Sequence, residues 1–376
     1  MCPSFESIGS TVLPGLFEED LQGWGVRTPS PRYSVSEVPS PLSILYAMLG
    51  EQRAIRNSGT TTPTTADTHV PFLPAEATGP RSADWAQQAV ASGDRTACRA
   101  VVARAVRLAG HRNGKEALMA VFKGVPDLRR GVGEALAGEW LALSLTGNGS
   151  RVVQFALQIG DEALREQIVT ELHSHLDTLV DHTYGNHVAH RMVENCGEQS
   201  MAVLLPQLTA GAVDLATHVY GCRMVQQVIR RFPAWMTRDL QRVIVKHQAH
   251  LSVHAFGNYV VQCVVEHGDP ELRWEIAQGA SAHLDAYCDN KFASNVVEAV
   301  VRWCPEAGDL VVDAALGGPG GLGRLSGMKF GGFVVLAMLE ARGKSRWDLV
   351  ARLLMGTRGL GFGRRVQAAL RRLASG

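Results

Sequence analysis

The sequence predicts an all-α solenoid of helical repeats, and three observations carry that prediction. A small residue recurs as Gly149, Gly185, Gly221, Gly257 and Ala293, each 36 residues after the last, and once more at Gly331 after 38. Each of these anchors opens an apolar stripe. Three and four residues on stand Val152–Val153, Val188–Ala189, Met224–Val225, Val260–Val261, Val296–Val297 and Val334–Val335; eight on stand Leu157, Val193, Ile229, Val265, Val301 and Leu339. That spacing marks one face of an α-helix. From residue 82 onward the chain is rich in Ala, Leu and Val, with few alternating β-branched runs. A helical stripe repeated at a fixed period of this size belongs to stacked units, each burying its apolar face against its neighbours.

Taken in chain order, residues 1–81 stand apart. The stretches 27–43 and 58–80 are crowded with Ser, Thr and Pro, a composition too poor in apolar side chains to build a core, and the region is expected to be disordered. Residues 40–57 between them can form one short helix or a partner-binding segment. The repeat domain is expected over 82–376. Its start, DWAQQAVASGD at 84–94, echoes YVVQCVVEHGD at 259–269 and reads as a degenerate first repeat or N-terminal cap. Leu108, His111, Asn113 and Gly114 reproduce the repeat columns 35 residues before Gly149, so a degenerate repeat is expected near 114. Six clear repeats follow.

Two further columns support them. Six residues before each anchor stand Leu143, Leu179, Leu215, Leu251, Tyr287 and Leu325; one before stand Asn148, Tyr184, Tyr220, Phe256, Phe292 and Phe330. The two additional residues before Gly331 are assigned to a Gly-rich loop, GGPGGLG at 317–323, and residues 346–375 to a C-terminal cap.

Bulk charge points nowhere: 37 Lys and Arg face 36 Asp and Glu, so any nucleic-acid reading must rest on placed residues. Charge is uneven only from Arg342 to Arg372, where nine basic residues meet the single acid Asp348. The seven cysteines form no CxxC pair, which fits a reducing, cytoplasmic setting, and no uncharged run is long enough for a membrane span. Phosphate-loop, nucleophile-elbow and HExxH motifs are absent, so neither a catalytic residue nor a cofactor is expected. His182, His218 and His254 share the column three before the anchor. Equivalent residues of stacked repeats lie about 8–10 Å apart, too far to share one metal ion, so these residues are assigned to satisfying turn or neighbouring-repeat groups. His187 and His190 lack a third ligand, and no metal site is expected.

The residues that carry chemistry sit one, two and five places after each anchor. The trios are Ser150/Arg151/Gln154, Asn186/His187/His190, Cys222/Arg223/Gln226, Asn258/Tyr259/Gln262, Ser294/Asn295/Glu298 and Gly332/Phe333/Leu336. The first and third members, four apart, share a face expected roughly opposite the buried stripe, with the second between them. A small or polar residue with Gln, Glu or His offers donors and acceptors to a base edge, and an Arg, Tyr, His or Phe beside it offers a flat group for stacking. One trio per repeat makes a ladder of base-sized sites.

At these residues the sequence resembles the Pumilio (PUF) family: GSRVVQ, GCRMVQ, GNYVVQ and KFASNVVE are similar to its recognition helices, and the resemblance covers roughly residues 82–376. It implies a right-handed crescent that binds single-stranded RNA at one base per repeat. Carried over, Asn258 with Gln262 would read U, Ser294 with Glu298 would read G, and Cys222 with Gln226 and Ser150 with Gln154 would read A. Asn186 and His190 would face a base of undecided identity. Arg151, His187, Arg223, Tyr259, Asn295 and Phe333 would stack.

Antiparallel binding gives 5′-?-G-U-A-n-A-3′, a UGUA-like element of mRNA 3′ untranslated regions, with repression or decay of the bound mRNA. Gly332 and Leu336 depart from a U-reading pair, and Lys115, Glu116 and Met119 fit no reading trio. A monomer is expected, with protein effectors engaged by the N-terminal region. Two other readings compete: a related ribosome-assembly factor gripping RNA by its backbone, and an armadillo-like protein scaffold.

Overall fold

The computed structural model describes residues 74–318, 321–342, 345–346 and 364–374. Of the region 1–81 expected to be disordered, residues 1–73, with the 40–57 segment, lie outside them, as does most of the stretch assigned to the C-terminal cap; residues 74–81 are ordered, with a 3-10 helix at Ala75–Thr78 that buries Ala77. Among the described residues every regular element is helical. The described residues form a two-layer stack of repeats.

The first helix, α1 (Ser82–Ala91), starts at the position equivalent to an anchor, and α2 (Arg95–Val102) follows. The next repeat holds α3 (Ala105–Gly110), α4 (Gly114–Gly124) and α5 (Arg129–Leu136). Then come α6 (Trp140–Ser144), α7 (Gly149–Ile159) and α8 (Glu162–Leu172), followed by α9 (Leu176–Asp181), α10 (Gly185–Asn195) and α11 (Glu198–Ala210). The series continues with α12 (Ala212–Thr217), α13 (Gly221–Arg231), α14 (Ala234–Lys246), α15 (Gln248–Ser252), α16 (Gly257–His267) and α17 (Pro270–Ala282). It ends with α18 (Leu284–Cys288), α19 (Ala293–Trp303), α20 (Pro305–Gly317), α21 (Gly321–Gly327), α22 (Gly331–Arg342) and α23 (Arg364–Ala374).

Each full repeat therefore carries a short helix before the two long ones. At five to seven residues these short helices show no period of their own, and the sequence marks them only by the buried column at Leu179, Leu215, Leu251 and their equivalents. The expected loop at 317–323 is mostly helix: α20 runs to Gly317 and α21 starts at Gly321, whose φ of 50° is the left-handed turn that only glycine adopts without strain.

Every anchor is the first residue of the middle helix of its repeat. At Gly185, Gly221 and Gly257 a Cβ would stand 2.7–2.8 Å from the carbonyl oxygen of the column leucine six residues back. Glycine is required here by close backbone approach, since none of these positions has a positive φ.

The middle helices α4, α7, α10, α13, α16, α19 and α22 pack one on the next, and the long helices α8, α11, α14, α17 and α20 form a parallel second layer. Between the layers runs one continuous core, which includes the predicted stripe residues Val153, Val188, Val225, Val261, Val297 and Val335. At the ends, α1 packs on α4 and α23 packs on α22, the latter burying Val366 and Ala369.

Candidate nucleic-acid interface

The N-terminus of each middle helix is built by the residue three before its anchor. Nδ1 of His182 accepts from the N–H groups of Tyr184 (3.2 Å) and Gly185 (3.3 Å). His218 and His254 repeat this with their own turns, as does His111 in the degenerate repeat. Asn290 Oδ1 does the same at 2.8 and 3.0 Å, and Thr146 Oγ1 takes the Gly149 N–H. The histidine column thus satisfies helix-start donors that have no partner within the helix. Met328 occupies the slot before Gly331 and has no acceptor to offer; there the Phe330 N–H reaches across to Cys288 O at 2.9 Å.

The other ends are closed by arginines the sequence reading did not single out. Arg129 donates to Phe122 O and Lys123 O, Arg165 to Leu157 O and Gln158 O, Arg231 to Val193 O, and Arg342 to Cys304 O. A guanidinium on the last carbonyls also complements the helix dipole.

The +1 positions are not on the solvent face expected for them. Ser150, Asn186, Cys222, Asn258 and Ser294 are all buried, at 0–4% exposure. Each residue of an α-helix advances about 100°, so +8, +1, +5 and +2 fall at roughly 80°, 100°, 140° and 200° from the anchor. The +1 side chain therefore borders the stripe, +5 lies beside it, and +2 alone is opposite the core. Accordingly +5 is half-buried in each trio, while Arg151, His187, Arg223, Tyr259 and Phe333 are exposed and Asn295 is half-exposed.

The buried +1 groups hold the preceding turn. Each donates to the carbonyl two before its anchor: Ser150 to Gly147 O, Asn186 to Thr183 O, Cys222 to Val219 O, Asn258 to Ala255 O and Ser294 to Lys291 O. Lys115 uses its ammonium in the same way, on Arg112 O. Burial pushes the Cys222 thiol up to about 11, so this position presents a neutral, compact sulfur.

The +5 groups engage their own helix. Gln262 Nε2 donates to Asn258 Oδ1 at 2.9 Å, and Gln226 Nε2 to Cys222 O at 3.1 Å. Glu298 pairs with Arg302 at 3.3 Å, and burial raises its carboxyl above the ordinary value. A further column stands nine after the anchor: Gln158, Glu194, Arg230, Glu266, Arg302 and Glu340. Lying at about 180°, it shares the open face, where Arg230 donates to Gln226 Oε1 and Arg302 approaches Glu340. Its all-polar composition was the available signal. The structure thus brings each predicted trio together on one helix and aligns the trio-bearing helices side by side.

Comparison with known proteins bears on this arrangement. The model of a family described as "Pumilio-family RNA binding repeat" matches residues 140–173, 182–207, 212–236 and 249–278. A Pumilio domain-containing protein of Schizosaccharomyces pombe is 26% identical over 244 residues, covering 64% of this chain and 36% of its own. A putative pumilio homolog 8 of Arabidopsis thaliana is 26% identical over 176 residues, covering 46% of this chain and 34% of its own. The chain thus spans about a third of the length of these relatives.

Among solved structures, PUF-8 in complex with PBE-RNA superposes with a TM-score of 0.70 at 21% identity, covering 87% of this chain and 99% of that one. The Puf4 RNA-binding domain, bound to an HO endonuclease RNA 3′ UTR recognition sequence, gives 0.67 at 19%, covering 81% and 100%. The family is one of RNA-binding repeats and not of enzymes. The 36-residue period, the helix order and these matches agree: residues 140–278 hold repeats that match the Pumilio-family RNA-binding repeat, and the chain is similar to Pumilio-family proteins in sequence and fold.

Proposed function

We propose that this chain is a sequence-specific single-stranded RNA-binding protein that recognises a GUA-centred, UGUA-like element in mRNA 3′ untranslated regions and lowers translation or stability of the bound mRNA in the cytoplasm. The observation that carries the reading is the row of polar +1/+5 pairs on adjacent helices, flanked by exposed flat side chains at +2. A base inserted between successive +2 groups stacks on them while its edge meets the +1/+5 pair. Solved relatives titled as complexes with RNA, two of them naming a 3′ UTR recognition sequence, support the ligand class. The protein acts as a monomer, with effectors engaged through the N-terminal region.

Titration of a labelled GUAnA oligonucleotide against a scrambled one tests the reading. The scrambled RNA is expected to bind at least about a hundredfold more weakly, because each lost base contact costs about 1–3 kcal/mol. Equal affinity for the two would mean backbone gripping, and no affinity for either would mean a protein scaffold.

A further inference from the structure

Two residues of the +9 column are arginines, and each stands one helical turn beyond the +5 residue of its own repeat. Arg230 donates to Gln226 Oε1 at 3.4 Å, and Arg302 lies 3.3 Å from Glu298 Oε2. The two contacts differ in what they can change. The Gln226 amide keeps one set of donors and acceptors whatever stands beside it. A carboxyl group has two: ionised it only accepts, and protonated it donates from one oxygen and accepts at the other. Arg302 also comes within 3.8 Å of Glu340 Oε2 on α22, so its guanidinium bridges the repeat of Ala293 to the next.

The Glu298 side chain is 19% exposed, against 46% for both Arg302 and Glu340. Its desolvation favours the protonated form, Arg302 opposes that, and Glu340 adds to it. On α18 the Cys288 thiol feels the same carboxyl, and burial pushes that thiol up to about 12, so it stays neutral. On α16 Gln262 is uncharged, and Glu266 stands 3.5 Å from its neighbour His267. The helices α17 and α20 belong to the second layer, across the core from this face.

We propose that Arg302, held between Glu298 and Glu340, is the positioning residue that makes this repeat select guanine, and that without it the same repeat turns to adenine in weakly acidic solution. The inference rests on the RNA-binding reading above. The guanidinium touches Oε2 and leaves Oε1, with the further lone pairs of the ionised group, to accept from guanine N1–H and N2–H. A protonated Glu298 offers one donor and one acceptor, as the Gln154 amide does beside Ser150. That set meets N1 and the N6 amino group of adenine. Arg302 thus acts on the choice of base through Glu298.

The test is fluorescence anisotropy of the full chain with labelled GUAUA and AUAUA, from about pH 5 to 8. At pH about 7.5 the unmodified protein is expected to bind GUAUA at least about tenfold tighter, the ratio falling toward the acidic end. Arg302→Met removes the charge and should move that fall to higher pH, so that near pH 6 the GUAUA:AUAUA ratio is at least about tenfold below that of the unmodified protein. Arg302→Lys keeps the charge and should restore most of the ratio. Glu340→Gln should move the fall the other way, to lower pH, which a mere loosening of the two helices would not do. Glu298→Gln fixes one donor and one acceptor and should favour AUAUA at every pH.

Taking a ratio cancels titration that both RNAs share. A fall that stays at the same pH in folded Arg302→Met, or an equal change in Arg302→Met and Arg302→Lys, overturns the proposal. Equal binding of the two RNAs to the unmodified protein at every pH overturns it as well, since Glu298 then reads no base at that place. Failure of both RNAs to bind would instead sink the RNA-binding reading itself.

Discussion

Glu298 must accept two donors from a guanine edge, and it can do so only as a carboxylate. Its half-buried setting raises its pKa, first through desolvation and then through Glu340, with Arg302 acting in the opposite direction. Preference for G over A at that site should therefore weaken as pH falls through this raised value, earlier than an ordinary glutamate would allow. Replacing Ser294 and Glu298 together by Asn and Gln copies the Asn258/Gln262 pair and should turn the preference at that site to U; binding competitions over the four bases at this one position check it. If the preference stays with G, the assignment of repeats to bases is displaced. Tyr259→Ala in the same competition should weaken every RNA by about 1–3 kcal/mol without changing base order, because stacking on a ring is indifferent to the edge.

Among the elements, the short turns before the middle helices carry a stability that the apolar stripe does not explain. Removing the acceptor in His218→Ala leaves the Tyr220 and Gly221 N–H groups without it and should cost about 0.5–2 kcal/mol in denaturant titrations near neutral pH. His218→Asn should recover most of that, since Asn290 does this work natively in the repeat of Ala293.

Buried histidines also set a pH dependence of stability. Burial lowers the pKa of His190, His254 and His267 from 6.5, so the unfolded chain takes up these protons first. Their contribution is fully present above about pH 6.5 and is lost as pH falls through the folded values.

Sequence legibility divides along this line. The anchors and stripes were readable because burial forces one residue class at fixed intervals, and every anchor opens a helix where the columns placed it. The burial of the +1 groups was missed: 100° per residue puts them at the border of the stripe, but Ser150 and Asn258 are polar, and the turn carbonyls that accept from them are what let them face inward.

Across the whole stack, the alignment of middle helices continues beyond the residues able to read bases, and this bounds the RNA footprint. On the N-terminal side, the +1 Lys115 is buried against Arg112 O and ion-paired to Glu116 at 3.2 Å, so its charge is spent within the protein. Glu116, at the stacking position, offers a phosphate chain a negative charge and no flat apolar face. On the C-terminal side, Gly332 brings no side chain and Leu336 no hydrogen bond, yet Phe333 is 49% exposed.

The two ends should therefore behave differently. Extending an oligonucleotide 3′ of the A assigned to Ser150 and Gln154 should change affinity by less than about threefold. Adding one nucleotide 5′ of the G should strengthen binding by about 1–3 kcal/mol whichever base is added, the increment of stacking alone. Phe333→Ala should abolish that 5′ increment and leave the affinity of the core oligonucleotide unchanged. A 5′ U favoured over the other three bases by tenfold or more would show that edge recognition extends into the last repeat through groups other than Gly332 and Leu336.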